Sequence, residues 1–239
     1  MAVAFDAYSV FAGVDPGGTH TPVGTPAAIL GLTTRGVSES IATFTYGGVS
    51  MGSPVASFTN TVGGEMANSV LDAYLLTSSI PTGAQTVAVD GGAGGNVVQI
   101  YSLTASDVPQ FINSVTLESV SVTNPSTTLT LSGRTCFVAM IFFSGQNDVA
   151  GVTPLANWTS RSETDAGVVV VGGYSYDIVS STDVTVGYTA GADDALLLAV
   201  AISETVALPA LSWEPKYRHV GPPRTLVVPS GFTPPMKVN

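Results

Sequence analysis

The sequence predicts an all-β chain: an antiparallel, jelly-roll-like β-sandwich followed by an extended C-terminal arm. Charged residues make up only 10% of its 239 residues, and Thr, Ser, Val and Gly are abundant, which favours strands and turns over helices. Apolar segments recur every roughly 8–14 residues with turn signals between them, as in sandwiches and jelly rolls. Amphipathic helical segments between these strands are missing, which argues against a parallel α/β fold.

In the first half of the chain, the clearest strand is 41–46, where apolar and polar residues alternate before the break at Gly47-Gly48. Residues 15–26 are rich in Gly, Pro and Thr and indicate a loop. Residues 69–76 fit either a strand or a short helix. The remaining predicted strands of this half are 3–10, 27–34, 85–90 and 97–104, with the chain resuming as a strand over 49–58.

In the second half, residues 135–144 form a continuous apolar run, which predicts a central strand buried on both faces. Residues 167–179 and 183–190 indicate a hairpin-like pair, and 195–204 ends the β-rich region. No strict repeat of residues is visible, so the sequence does not indicate a propeller or a solenoid. The other strands predicted here are 114–121 and 127–133.

The charge changes sign near residue 210. Residues 1–209 hold sixteen acidic and three basic residues, a net charge of −13, whereas residues 210–239 have a net charge of +3 and six prolines. We therefore divide the chain into a sandwich domain, 1–209, and a basic, proline-rich arm, 210–239. Proline disfavours helix and central strand, so we expect the arm to be extended and to dock on a neighbouring subunit; the alternative is that it folds back on its own domain. Its expected contact residues are aromatic or arginine: Trp213, Tyr217, Arg218, Arg224 and Phe232.

Composition also excludes several function classes. The net charge of −10 provides no basic face for nucleic acid. Cys136 is the only cysteine, which excludes a disulfide framework and a cysteine zinc site. The two histidines, His20 and His219, lie far apart in sequence and give poor support to a catalytic triad or a histidine metal centre. We expect no enzyme activity, no cofactor, no membrane span and, from the acidic first residues, no secretory signal.

A few acidic or glycine-rich segments could carry chemistry but have simpler explanations. Asp193-Asp194 could help to bind Ca²⁺, but no third or fourth ligand follows at an EF-hand spacing, so capping of a turn is the simpler explanation. Glu163 and Asp165 are expected on a solvated loop, since two carboxylates that are close in sequence do not make a glycosidase cleft. The glycine-rich stretch 90–96 lacks the Lys-Ser/Thr of a phosphate-binding loop.

Trp158 and Arg161 suggest a possible glycan contact. An exposed Trp beside Asn and Arg could stack on a sugar ring, as in lectin-like sandwiches. The alternative is that Trp158 anchors a loop at one end of the sandwich.

Three segments within residues 27–204 carry a resemblance to known modules: Tyr46-Gly47-Gly48-Val49, Pro81-Thr82-Gly83 and Leu196–Ile202. With these segments, residues 27–204 resemble the jelly-roll-like modules of tailed-phage virion proteins and of bacterial surface proteins. The segment PPRTLVVPSG, 222–231, is similar to short segments near the ends of small virion proteins of tailed phages. The resemblance implies a virion-located decoration, cement or tail-surface subunit that contacts capsid or tail proteins. We also expect the protein to contact itself as a homo-oligomer, because a chain that is 45% hydrophobic and only 10% charged has few groups to solvate the whole surface of a monomer. The alternative is a carbohydrate-binding module of a phage fibre or surface protein that recognises a surface glycan.

Overall fold

The computed structural model describes residues 2–36, 40–61, 68–90, 96–146, 149–165 and 169–204, and the side chain of Asp165 is outside this description. These residues form seventeen strands, all paired antiparallel, and one 3₁₀ turn, Val149–Gly151. Within the described part of the chain, no helix is long and apolar enough to span a membrane. The all-β prediction is confirmed.

The first nine strands build two sheets, which together we call the first sandwich. The large sheet has the order β1-β9-β3-β7-β6, and the small sheet has the order β2-β8-β4-β5. The strands are β1 Ala4–Gly13, β2 Gly17–His20, β3 Ala28–Gly36, β4 Thr43–Tyr46, β5 Val49–Ser50, β6 Ala56–Thr59, β7 Ser69–Leu76, β8 Gln85–Asp90 and β9 Asn96–Thr104.

The next eight strands build the second sandwich in the same way. Its large sheet has the order β10-β17-β12-β15-β14, and its small sheet has the order β11-β16-β13. The strands are β10 Pro109–Val122, β11 Ser126–Thr130, β12 Thr135–Ser144, β13 Thr153–Pro154, β14 Thr159–Asp165, β15 Val170–Ser180, β16 Asp183–Thr189 and β17 Asp193–Glu204.

The two sandwiches share one strand order. In the large sheets, the places of β1, β9, β3, β7 and β6 are taken in the second sandwich by β10, β17, β12, β15 and β14, in that order. In the small sheets, the places of β2, β8 and β4 are taken by β11, β16 and β13, and β5 has no counterpart among the described strands. Each order is that of a jelly roll, with successive strands exchanging between two antiparallel sheets. The chain is therefore duplicated at the level of topology, although no repeat of residues predicted it.

The four sheets stack in layers around three cores. Leu30 and Ile141 belong to the central core between the two large sheets. Ile100 belongs to the outer core of the first sandwich, and Phe142 to the outer core of the second. Each large sheet is thus covered on both faces, which confirms the prediction for 135–144 and explains how a chain that is 45% hydrophobic buries so much of its apolar surface.

Some of the contacts between the two large sheets are reciprocal. β3 and β12, which hold equivalent places, contact each other. β17 of the second sandwich contacts β7 of the first. The equivalent strands, β9 of the first sandwich and β15 of the second, also approach each other, and Gln99 packs there against Gly173. A surface that contacts its own equivalent is typical of two subunits related by a two-fold axis. The seam between the sandwiches therefore has the character of a dimer interface within one chain.

Several short strands differ from the sequence prediction. β2 lies inside the predicted loop 15–26, and 49–58 is divided into β5 and β6. The ambiguous segment 69–76 is a strand, β7. Edge strands of two to four residues have too little hydrophobic alternation to be recognised from sequence alone. The expected loop around Glu163 is instead the edge strand β14, so that prediction was wrong.

Candidate functional site

The five arm residues expected to contact other subunits lie outside the described residues, together with His219 and the whole of 210–239. Their roles stay predictions that rest on composition and charge. The described residues that can be tested against a site hypothesis are therefore those of the two sandwiches, beginning with Trp158 and Arg161.

Trp158 is anchored at one end of the second sandwich. Its indole Nε1 donates a hydrogen bond to the carbonyl oxygen of Thr185 at 3.1 Å, and its side chain packs in the outer core with 7% exposure. Its backbone N–H donates to the Leu155 carbonyl at 3.1 Å, closing a turn in which Asn157 has a φ of 70°. Asn tolerates this left-handed conformation better than most residues. The geometry matches the loop-anchor alternative stated for Trp158.

A groove of about 560 Å³ lies beside Trp158. The Tyr176 ring meets the Trp158 indole edge-on, with 5.9 Å between ring centroids. Ile178 is 55% exposed, although most of the other residues of its strand, β15, are buried. Asp183 adds a carboxylate to the lining. The groove thus combines apolar walls held in fixed positions with an acidic group, a combination that suits a ligand with both apolar and cationic parts.

Arg161 lies in a different environment, at the seam between the sandwiches. Its guanidinium stands 3.6 Å above the ring of Phe5 in the first sandwich, a cation–π arrangement. Its Nε donates to the Ser175 hydroxyl at 2.7 Å, and a terminal nitrogen donates to the Asp177 carboxylate. Ser175 in turn donates to Asp177 at 2.8 Å. Arg161 therefore joins the two sandwiches, and the structure does not bring it together with Trp158.

A β-bulge explains why Arg161 points to the seam. The register of β14 against β15 shifts between Ser160 and Ser162, so that an extra residue is inserted at 161. A bulge re-aims side chains relative to strict alternation. Ser162 also faces the seam, where its hydroxyl bonds the hydroxyl of Tyr8 at 2.6 Å. Burial there raises the pKa of Tyr8, so this phenol remains protonated at neutral pH.

Glu163 faces the opposite side of the same strand. Its carboxylate accepts hydrogen bonds from the Tyr174 hydroxyl at 2.7 Å and from the Ser160 hydroxyl at 3.0 Å. Burial and the neighbouring Glu163 carboxylate raise the pKa of Tyr174. Glu163 is thus a half-buried acceptor for a core tyrosine, which corrects its interpretation as a solvated loop charge.

Sequence reasoning missed one polar cluster in the first sandwich. His20 is fully buried, and its Nδ1 lies 2.9 Å from the Ser9 hydroxyl. Burial lowers the pKa of His20, against the opposing influence of Asp6. The Asp6 carboxylate accepts the backbone N–H groups of Val23 and Gly24. Because the His20 ring has no exposed surface, a substrate could not reach this Ser-His pair as it would a catalytic one.

The other candidate positions have structural partners. Asp193 accepts a hydrogen bond from the Gln146 amide at 3.2 Å and caps the backbone N–H of Asp194 at 2.8 Å. Cys136 is a buried free thiol whose pKa is raised by burial. Among the described residues there is no group of three or more His, Cys, Asp or Glu side chains placed to hold a metal ion.

Comparisons with protein-family models, with curated protein sequences and with solved structures give no match to this chain.

Proposed function

We propose that this protein is a structural subunit of a bacteriophage virion, a capsid decoration or tail-surface protein that attaches to neighbouring subunits through its C-terminal arm. The observation that carries the proposal is the change in composition at residue 210. An acidic domain with a net charge of −13 is followed by thirty residues with a net charge of +3, six prolines and several aromatic residues.

The arm has the chemistry of an attachment segment. Prolines restrict the free chain, so less conformational entropy is lost when it docks. Aromatic and arginine side chains most often carry interface energy, and here they are Trp213, Tyr217, Phe232, Arg218 and Arg224. Opposite net charges on arm and domain should speed association and make it sensitive to salt.

The sandwiches are consistent with this role at the level of fold. Jelly-roll strand orders occur in viral capsid domains and in lectins, so the fold fits both the virion proposal and the carbohydrate-binding alternative. Because three cores take up most of the large apolar side chains, only six of the described ones are exposed: Val10, Val14, Val23, Val108, Val120 and Ile178. The apolar composition of the chain therefore no longer supports oligomerisation by itself, and the arm is the main support for it.

Two observations favour this proposal over the carbohydrate-binding alternative. Sugar stacking requires an open aromatic face, and Trp158 is only 7% exposed. Arg161 already engages Phe5, Ser175 and Asp177 at the seam. The two residues expected to contact a glycan therefore have structural partners of their own.

A full-length arm variant tests the proposal. In this variant, Trp213, Tyr217 and Phe232 become Ser, and Arg218 and Arg224 become Glu. Sedimentation velocity at low and high salt measures self-association, and immunogold electron microscopy measures incorporation into particles. We expect the variant to keep its β-type circular dichroism but to lose both assembly and incorporation.

The matched control is Lys216→Glu with Lys237→Glu, which makes the same change in charge without removing an arginine or an aromatic residue. We expect the control to associate more slowly but still to assemble, because Lys lacks the planar, bidentate geometry of Arg. An arm variant that assembles and incorporates like the wild type would refute the proposal.

A further inference from the structure

We propose that the groove beside Trp158 in the second sandwich is the receptor for residues 222–224, Pro-Pro-Arg, of the arm of a second copy of this chain. The inference rests on the proposed function, since it names the surface to which the arm attaches. The inference names the two surfaces that form the attachment, which are the groove of one copy and residues 222–224 of another.

The apolar part of the groove suits a proline-rich ligand. Proline pairs favour the extended polyproline conformation, which docks on grooves lined with aromatic side chains. The half-buried Tyr176 is the aromatic side chain that a ligand can reach here. It lies edge-on to Trp158, whose buried indole supports it and is itself fixed by a hydrogen bond to Thr185. Ile178, at 55% exposure, extends this wall towards solvent. Docking of Pro222-Pro223 would cover an apolar side chain that the second sandwich itself leaves uncovered.

The polar part of the groove suits an arginine that follows two prolines. Asp183 belongs to the lining and is exposed, and no cationic residue is among the described lining residues. Arg224 comes directly after Pro223, so a docked proline pair would hold its guanidinium within reach of a carboxylate. An Arg–carboxylate pair adds orientation as well as energy.

The corresponding groove of the first sandwich is a poorer receptor. It has a volume of about 360 Å³, and its lining includes Phe44, Tyr74 and Pro54. Its described lining contains hydroxyls but no carboxylate to pair with an arginine. Both grooves include the connection before β6 or β14 and a residue of β7 or β15, but β4 completes the first groove and β16 the second. Of the two, the second combines an acidic group with an exposed aliphatic side chain.

The arm is long enough to join two copies. The last described strand ends at Glu204, and seventeen residues separate it from Pro222. Fully extended, seventeen residues span up to about 60 Å, which is wider than a domain of this size. Each copy carries one groove and one arm, so the contact is heterologous and can propagate into a ring or a lattice.

Full-length variants test the pairing by sedimentation velocity over a concentration series. The groove variant is Ile178→Glu, which places a second negative charge beside Asp183 but changes an exposed position. Its matched control is Val120→Glu, at an apolar residue of the same sandwich that is 49% exposed and outside the groove. The tripeptide variant combines Pro222→Ser, Pro223→Ser and Arg224→Glu. Circular dichroism melts verify that all of them fold.

We expect the groove variant and the tripeptide variant each to self-associate at least about tenfold more weakly, since the loss of one anchor costs 1.4 kcal/mol or more. The Val120→Glu control should associate like the wild type. A mixture of the two defective variants should recover association into pairs, because one supplies an intact arm and the other an intact groove.

Two results would overturn the inference while leaving the proposed function standing. In the first, Ile178→Glu associates like the wild type although the five-substitution arm variant does not, so the arm docks elsewhere or the groove serves another ligand, such as a sugar. In the second, the mixture of defective variants fails to recover. If the five-substitution arm variant also associates like the wild type, the proposed function itself fails.

Discussion

The two sandwiches share a strand order, but they differ in whether the buried tyrosine hydroxyls of their outer cores have hydrogen-bond partners. In the second sandwich, the Tyr188 hydroxyl donates to the Phe143 carbonyl at 2.9 Å, and the Tyr174 hydroxyl donates to Glu163. In the first, the Tyr46 hydroxyl and Nε2 of His20 are buried without a hydrogen-bond partner among the described residues. The same topology therefore tolerates both a paired and an unpaired buried tyrosine hydroxyl, at different costs in stability.

The aromatic packing differs in the same direction. Phe142 stacks on Tyr188 with 4.3 Å between centroids and lies 4.8 Å from the Tyr174 ring. Phe44, in the first sandwich, has one such neighbour, Tyr74 at 5.0 Å. Both phenylalanines lie so close to a glycine that an added Cβ would collide with the ring. The shared strand order therefore places a phenylalanine against a glycine in both outer cores, but it does not determine how many aromatic side chains pack around that phenylalanine.

The largest effect expected is from removing these rings. Phe142→Ala should lower the free energy of unfolding by ~3–5 kcal/mol, as for a fully buried aromatic. Phe44→Ala should cost about 1 kcal/mol less, because one fewer aromatic pair is lost. Guanidinium unfolding followed by circular dichroism measures both values. Equal costs would mean that the two outer cores are energetically equivalent.

The seam should show a smaller asymmetry between its two ends. Arg161→Met removes the donor from Ser175 and Asp177 and should cost about 1–2 kcal/mol, discounted because Asp177 is 43% exposed. At the other end, Glu118 accepts hydrogen bonds from Thr61 in an exposed setting, and Glu118→Gln should cost ~0.5 kcal/mol or less. Arg161→Lys, which keeps the charge, should lie between. A lower denaturant midpoint for Glu118→Gln than for Arg161→Met would contradict this ranking.

The two tyrosine hydroxyls test the polar difference directly. Tyr188→Phe loses a hydrogen bond and should cost about 1 kcal/mol. Tyr46→Phe removes a hydroxyl without a described partner and should be neutral or slightly stabilising. Thermal melts of the two variants beside the wild type give the comparison. A clear loss of stability in Tyr46→Phe would reveal a hydrogen bond to a partner outside the described residues.

The smallest effect concerns pH. Burial lowers the pKa of His20 in the folded protein below its ordinary value of 6.5. The unfolded chain then binds the proton more readily, so this contribution to stability is complete above about pH 6.5 and is lost as the pH falls below it. His20→Gln should flatten the decline in unfolding free energy between about pH 7 and pH 5. An unchanged slope in His20→Gln would remove His20 as its source.

The sequence predicted the long strands well because burial on both faces leaves a plain signal. The uninterrupted apolar residues of β12 and β17 could hardly be anything but central strands. β13 has two residues, and β14, with the sequence TSRSETD, is polar, so neither carries a hydrophobic pattern. The duplication was invisible for a related reason: strand order is a property of pairing, and different side chains can satisfy it.

The candidate site was predicted less well than the fold. Trp158 and Arg161 are three residues apart, and their proximity in sequence suggested one contact surface. The bulge at Arg161 turns that side chain towards Phe5, and nothing in the local residue pattern announces a bulge. Ser9 and His20 meet because β2, in the small sheet, contacts β1, in the large sheet. Predicting this contact required recognising a four-residue strand in a loop-like segment.

The short connection between the sandwiches keeps the two halves associated when the protein is diluted, and it lets each half change without the other. Residues 105–108 join β9 to β10, so the reciprocal seam forms within one molecule and its effective concentration is set by the tether. Two separate halves would dissociate when diluted, whereas the tethered pair meets at millimolar or higher local concentration whatever the number of copies present. Fusion also frees each half from the symmetry of a homodimer. One half can then acquire an acidic, aromatic groove while the other keeps a hydroxyl-lined one, a division of labour that two identical subunits could not make.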